Sequence, residues 1–327
     1  MRRRDFIKVV AGSAMTWPLA AHAQEPAIPV IGFLNSGTAD GFVPQVAAYR
    51  RGLAEAGFTE GKNVTIAFRW ANGRYDRLSE LAADLVARQV AVIAAGGPPA
   101  ARAAKDATSK IPIVFTSGDD PVQAGFVASL NRPGGNVTGV YLFLTQLIAK
   151  KLGLLRDLLP QVTVIGAIIN PGGGGTGAIQ TKDIEAAARA LGLEVHIANA
   201  SSQKEIEMAF AALSQQRVGA LIVGADPYYN SVHAQIVVLA ARYAIPTLYE
   251  LRPFVEAGGL MSYGTDLDDG YRQAGIYAGR ILKGESPADL PVLQSAKFQL
   301  VINLKTAKSL GIKVSDNLLS LADEVIE

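Results

Sequence analysis

An α/β fold of two Rossmann-like lobes with parallel sheets is what this sequence predicts, on three observations. Short β-branched runs alternate with amphipathic helical stretches along the chain. The strand-like runs are continuously apolar, which implies parallel sheets covered on both faces. The connections between them are short and imply right-handed crossovers. Length agrees: the 304 residues beyond residue 23 suggest two domains at about 150 residues each. A hydrophobic content of 49% can fill sizeable cores.

In chain order, the first element reads as an export signal. Arg3-Arg4-Asp5-Phe6-Ile7-Lys8 has the spacing of a twin-arginine signal, Val9 to Ala21 is weakly hydrophobic, and Ala21-His22-Ala23 offers a cleavage site. The apolar stretch is too short for a hydrocarbon core of about 30 Å, and Pro18 interrupts it. Cleavage would leave a mature chain beginning near Gln24. Strands are then predicted at Val30–Asn35, Val64–Trp70, Val90–Ala95, Ile113–Thr116, Val164–Ile169, Ala220–Val223 and Leu260–Tyr263. Helical periodicity marks Val43–Ala56, Leu78–Arg88, Ile184–Leu191, Ile206–Leu213, Ser231–Tyr243 and Leu267–Lys283. Turn clusters at Asn131–Asn136, before a short strand Val137–Tyr141, and at Ala257-Gly258-Gly259 read as passages between lobes. The expected division is 24–142 plus 246–290 for lobe one and 143–245 plus 291–327 for lobe two. Several crossings would let the lobes hinge without separating.

Composition removes several classes of function. The signal holds four of the 31 basic and one of the 29 acidic side chains, so the remainder carries 27 and 28, a net charge of −1. Neither that balance nor any basic run favours nucleic acid as a partner. The chain has no cysteine, which excludes disulfides, thiolate metal sites and a lipidated N-terminal cysteine. Only His196 and His233 remain beyond the signal, so neither a metal site nor a catalytic triad is expected. An exported, cysteine-free chain fits a periplasm.

In open parallel sheets ligands bind beyond the carboxyl ends of the strands. Asp120-Pro121, Asn170-Pro171 and Asp226-Pro227 each follow such an end, as do Asn35-Ser36-Gly37 and Gly96-Gly97-Pro98-Pro99. Asp or Asn before Pro is also a helix cap with Pro at the first helical position. Their convergence suggests the walls of one cleft, where free N–H groups would favour a carboxylate. An ammonium there needs an acid, for which Asp119, Asp120, Asp226 and Glu250 are the candidates. Tyr228 and Tyr229 either pack on an apolar ligand group or cover sheet edges, and Tyr141 and Tyr249, near the predicted crossings, are expected to close over a ligand. Arg252 suits either a second ligand carboxylate or an exposed hinge position. Gly172, Gly174 and Gly177 fit G-x-G-x-x-G, but Glu194 begins the next strand where a ribose-binding acid should end it. A rim loop is the better reading, so no cofactor is expected.

Four ordered motifs carry a family resemblance over nearly the whole mature chain. They are Asp120-Pro121-Val122; Pro133-Gly134-Gly135-Asn136-Val137-Thr138-Gly139; Gly258-Gly259-Leu260-Met261-Ser262-Tyr263-Gly264; and Leu300-Val301-Ile302-Asn303-Leu304-Lys305-Thr306-Ala307. The chain resembles the ABC-transporter substrate-binding family that includes the tryptophan/tyrosine binding proteins. The resemblance implies a type I periplasmic binding protein that closes on a small ligand, an amino acid, often aromatic, or a related organic acid; the ligand expected here bears a carboxylate, and the chain is expected to be a monomer. It also implies delivery to a membrane permease powered by a cytoplasmic ATPase, with membrane contact only through that permease. The family's cleft segments match Gly97–Pro99, Ser117–Asp120, Tyr141, Asn170 and Asp226. With Asn35, Ser36, Tyr228 and Glu250, these form the expected ligand-binding set, with no catalytic residue. The alternatives are a sensor that presents ligand to a membrane receptor, or an exported enzyme using a dinucleotide at the glycine loop.

Overall fold

Val30–Asn35 is buried along all but its first residue, which a central strand covered on both faces requires. The computed structural model describes residues 28–172, 175–295 and 297–327; the segment expected to be an export signal and Gly174 of the glycine motif lie outside them. The chain runs β1 (Val30–Asn35), α1 (Val43–Glu55), β2 (Thr65–Trp70), α2 (Leu78–Ala87), β3 (Val92–Gly96), α3 (Pro98–Ala107), β4 (Ile113–Ser117) and β5 (Val137–Tyr141). It continues through α4 (Ile148–Leu158), β6 (Val164–Ile169), α5 (Thr176–Ala190), β7 (Glu194–Asn199), α6 (Gln203–Gln215), β8 (Ala220–Val223), α7 (Pro227–Ser231) and α8 (His233–Arg242). Then come β9 (Thr247–Tyr249), α9 (Arg252–Glu256), β10 (Met261–Thr265), α10 (Leu267–Leu282), β11 (Leu293–Gln294), β12 (Phe298–Asn303), α11 (Leu304–Ser309), α12 (Asp316–Ser320) and β13 (Glu324–Ile326).

Two sheets result. The first has the order β11-β5-β4-β3-β1-β2, and the second β13-β12-β10-β9-β8-β6-β7. Every pairing is parallel except β10 with β12, where Met261 faces Ile302. Among the described residues, no helix is long and apolar enough to cross a membrane.

The pairings correct the expected division of the chain. Residues 246–290 were assigned to the first lobe, yet Thr247 pairs with Leu221 and Met261 with Leu248, so β9 and β10 extend the second sheet. In the opposite sense, Leu293 pairs with Val140, which places β11 in the first sheet. The chain therefore changes sheets between β5 and α4, between β10 and α10, and between β11 and β12. The two turn clusters are not the crossings: Asn131–Asn136 lies within the first lobe and Ala257–Gly259 between α9 and β10 of the second. At the true crossings, Thr265 donates to the Leu142 carbonyl (3.2 Å) and Thr145 to that of Gly118 (3.3 Å). Phe143, left-handed at φ 57°, stacks on Tyr141 with centroids 3.9 Å apart and meets Phe298 of another crossing edge-on.

The first lobe is held by an aromatic cluster in which Phe33 touches Tyr49, Phe68, Trp70 and Tyr271 at centroid distances of 5.3 to 6.2 Å. Helices α1 and α10 cross closely because Gly52 and Gly275 leave room at the contact. A Cβ on Gly52 would overlap the Arg272 carbonyl, and one on Gly275 the Tyr49 carbonyl. Backbone on both sides leaves little to yield. Gly275→Val should therefore destabilise the protein by about 1–3 kcal/mol, the usual penalty of overpacking, read as a lower denaturant midpoint.

Candidate functional site

Where the carboxyl ends of the two sheets face each other, the lobes enclose a cavity. Its volume open to the centre of a water molecule is about 40 Å³. Its walls come from chain just past the strand ends: Gly97–Pro99 after β3, Gly118 and Asp119 after β4, Leu142 and Leu144 after β5. From the second lobe come Ala225–Pro227 and Asn230 after β8, Glu250 after β9, and Thr176 at the start of α5. Phe42, Leu267 and Tyr271 complete the apolar side.

The lobes touch across this cavity. Tyr75 of the first lobe donates to Asp226 Oδ2 of the second (2.8 Å), and Thr176 of the second donates to Asp119 Oδ2 of the first (2.6 Å). The Thr38 N–H donates to Ser231 Oγ (3.0 Å). Glycines admit the short helix α7 at this seam. A Cβ on Gly97, which has φ +92°, would lie 2.5 Å from Pro227 Cγ, and one on Gly73 2.5 Å from Tyr228 Cδ2. A Cβ on Gly41 would overlap Ser231, and all three of its nearest atoms belong to that residue of the opposite lobe. This is a closed arrangement.

Seven of the expected site residues line the cavity: Gly97, Pro98, Pro99, Gly118, Asp119, Asp226 and Glu250. Others stand one step behind. Asn35 donates to the Tyr271 hydroxyl (2.9 Å), and Ser117 accepts from the Asp119 N–H (3.1 Å), shaping the turn that presents that carboxyl. Asn170 donates to Asp226 Oδ1 (3.2 Å), and Ser36 reaches the Gly96 carbonyl (3.4 Å). Asp120 lines an outer groove that shares Asp119 with the cavity, and Tyr228 packs at the seam. Tyr141 is buried in the first lobe's core and Tyr249 stacks on Phe254, so neither closes over the cavity as expected. Arg252 is ion-paired with Glu324 (2.8 Å), the hinge-surface alternative.

The helix-cap expectation needs correction at two positions. Only Asp226 caps a helix; its Oδ1 accepts from the Tyr228 and Tyr229 N–H groups at 2.9 and 3.2 Å. Asp120 Oδ1 instead caps a turn, accepting from Val122 and Gln123, while Asn170 Oδ1 accepts from Gly172 and the next helix starts only at Thr176. These caps use the N–H groups that were expected to hold a carboxylate. Pro98 and Pro99 have no N–H at the start of α3. Cavity residues not singled out from sequence include Phe42, Leu144, Thr176, Asn230 and Tyr271, with Tyr75 bonded to Asp226 at the seam. Tyr271 lay on the periodic stripe of α10, indistinguishable there from core.

The polar chemistry of the cavity is acidic. Glu250 is 1% exposed, and its carboxyl oxygens make no well-formed hydrogen bond, although the Asn230 side chain and the Asp226 backbone amide lie beside them; Asp119 Oδ1 and Asn230 Oδ1 are likewise buried and unpartnered. Burial raises Asp226 to about 6, against the opposing hydrogen bonds from Tyr75, Asn170 and two backbone amides. Burial also raises Asp119, opposed by the Thr176 hydroxyl. Glu250 is raised by burial, opposed by the charge of buried Lys151, whose ammonium donates to the Leu144 carbonyl (3.4 Å). Burial lowers Lys151. Among the described residues, no group of three or more His, Asp or Glu side chains could hold a metal.

Comparisons with known proteins agree with this architecture. A sequence model of the family described as ABC transporter substrate binding protein matches residues 28–326. A tyrosine-binding protein of Clostridioides difficile (strain R20291) is 31% identical over 263 residues, 80% of this chain and 75% of that protein. A crystal structure from Streptococcus pneumonia in complex with L-Trp is 29% identical, with a TM-score of 0.80 over 91% of this chain and 99% of that one. The ligand-free, open structure of a substrate-binding protein with adhesive properties from Clostridium difficile is 26% identical over 92% and 99% of the chains, with a TM-score of 0.62. The better fit to the L-Trp complex, at similar identity and coverage, agrees with closed lobes here. More distant chains in the 13–16% range share the fold, that of type I periplasmic binding proteins.

Two outcomes follow from this geometry. In ligand-loaded protein, Gly41→Val should enlarge the radius of gyration measured by X-ray scattering and weaken binding at least about tenfold, about 1.4 kcal/mol. Its unfolding free energy should change by less than about 1 kcal/mol, because the atoms nearest the new Cβ belong to the opposite lobe. The second concerns Asp226. A carboxyl raised from 3.8 to about 6 favours the folded state most below the unfolded pKa, and that advantage is lost as pH rises through 6. The stability of Asp226→Asn relative to wild type should therefore rise between pH 4 and 6, by up to about 3 kcal/mol, and level off above. A flat difference across that range in chemical denaturation would mean that Asp226 faces water.

Proposed function

Because the chain belongs to the family of ABC transporter substrate-binding proteins, we propose that it is the periplasmic solute-binding component of an importer. It captures a small amino-bearing solute, an amino acid or related organic acid, between its lobes and delivers it to a membrane permease driven by a cytoplasmic ATPase. In this reading residues 1–23 direct export, by the twin-arginine route, and are removed. Asp119, Asp226 and Glu250 receive the ligand's ammonium, Thr116 and Asn230 offer further polar contacts, and Phe42, Pro98, Leu144 and Tyr271 surround its apolar part.

One observation carries this reading: a cavity at facing strand ends, lined by buried carboxylates from both lobes, in which Asp119 Oδ1 and both Glu250 oxygens lack a well-formed hydrogen bond. A buried acceptor without a donor costs about 1–3 kcal/mol, more when charged, and a bound ammonium removes that penalty. The tyrosine-binding relative and the L-Trp complex support an amino-bearing ligand. The mechanism is a population shift. Contacts from both lobes stabilise the closed form, which the permease distinguishes from the open one. At a dissociation constant near 1 μM the ligand needs about −8 kcal/mol, within reach of a few charge-assisted hydrogen bonds and a buried side group.

Mass spectrometry of small molecules released by denaturing gently purified protein should reveal an amine at near-stoichiometric amount. Calorimetry with that compound should give single-site binding, weakened more than tenfold in Glu250→Gln. Cells lacking the chain should lose uptake of the compound and recover it with wild type but not with Gly41→Val. Binding unaffected by both substitutions would remove the cavity from the function.

A further inference from the structure

The described residues that line the enclosed cavity include three carboxylates, Asp119, Asp226 and Glu250, and no lysine, arginine or histidine. The outer groove that shares Asp119 with the cavity adds Asp120 and Asp183, again without a basic side chain. From solvent to the innermost wall, the charged side chains lining these spaces are acidic.

We infer that the cavity selects a ligand of net positive charge, with more cationic than anionic groups, over a zwitterion of net charge zero. This rests on the reading that the cavity holds the transported solute. Lys151 is the nearest buried cation; its ammonium sits at the Leu144 carbonyl, outside the cavity lining. Counting it against Glu250 still leaves two carboxylates, Asp119 and Asp226. A zwitterion adds no charge, so its bound state keeps both negatives buried or must neutralise them. A ligand with an extra ammonium or guanidinium supplies the missing charge and donors to Asp119 Oδ1, buried and unpartnered, and to Glu250, buried without a well-formed hydrogen bond.

The supply of donors points the same way. An anionic group needs N–H or O–H donors, and beyond the Thr116 hydroxyl and the Asn230 amide this wall has spent or lacks most of them. Pro98, Pro99 and Pro227 have no N–H. The Tyr228 and Tyr229 amides are bound to Asp226, the Gly97 N–H to the Thr116 carbonyl at 2.9 Å, and the Thr176 hydroxyl to Asp119. Acceptors are in surplus, and a polycation or basic amino acid is the complement.

Isothermal titration of the protein with arginine, lysine, agmatine and putrescine, beside tryptophan and tyrosine, tests this at pH 6 and pH 8. The expected result is that at least one cationic probe binds ten times tighter than either aromatic zwitterion. Its affinity should increase from pH 6 to pH 8, because the acids facing it ionise. Around Asp226 those neighbours are Tyr75, Tyr228, Tyr229 and Glu250; around Glu250, Lys151 and Asp226; around Asp119, Thr176 and Tyr141. Asp119→Asn and Glu250→Gln should each weaken the cation at least tenfold more than they weaken the aromatic zwitterions. Tighter binding of tryptophan or tyrosine, with affinity falling as pH rises, would overturn the inference alone. It would mean that the acids are protonated and donate to a ligand carboxylate. Binding of none of the probes, together with a released native ligand unaffected by Glu250→Gln, would overturn the inference and the cavity reading together.

Discussion

The carboxylate of Asp226 accepts four hydrogen bonds at the place where both lobes and the cavity meet. Two come from the amides that begin α7, one from Asn170 at the end of β6, and one from Tyr75 across the seam. The Tyr75 bond exists only while the lobes are closed; the other three belong to the second lobe alone. One side chain thus shapes a loop, sets a wall of the cavity and joins it to the facing lobe. The neighbouring Ala225 is clamped by Gln180, which donates to its carbonyl (2.9 Å) and accepts from its N–H (2.7 Å). The acid is therefore held by a frame that does not depend on the opposite lobe.

Closure is opposed by the same groups that favour a ligand. Bringing the lobes together takes Asp119, Asp226 and Glu250 out of water, and burial raises the carboxyl pKa values accordingly. The seam contributes close packing of α7 against glycine-lined backbone, together with a few hydrogen bonds. A solute that supplies donors to the acids relieves the electrostatic penalty of the closed form and leaves the open form nearly untouched. That difference in affinity between two states is what a capture device requires. The three chain crossings permit the motion while limiting it to a hinge.

Most of the architecture could be read along the chain because parallel strands buried on both faces must be apolar throughout. β1, β5, β6 and β8 coincide with the predicted runs residue for residue. Local chemistry also marked the strand ends, where Gly97, Pro98, Asp119, Asp226 and Glu250 emerged as candidates. The lobe boundary was misjudged because β9 and β10 look the same whichever sheet they join; register with β8 decides it. Thr176 was missed because its importance lies in meeting Asp119, 57 positions earlier. Tyr271 was missed because an aromatic on a helix stripe looks alike whether it faces core or cavity.

By itself, the sequence determined the α/β class, the strand ends where a ligand could be met and the family, because these follow from periodicity and local motifs. Tertiary structure decided which strands share a sheet, where the chain crosses between lobes and which polar groups remain unsatisfied when they close. Those outcomes depend on pairs of residues far apart in the chain. Whether a backbone N–H is free for a carboxylate, or already taken by Asp226 or Asp120, depends on side-chain geometry that no one-dimensional pattern records. The cavity's acidic surplus arises because carboxylates from separate strand ends meet in one space that no basic side chain lines.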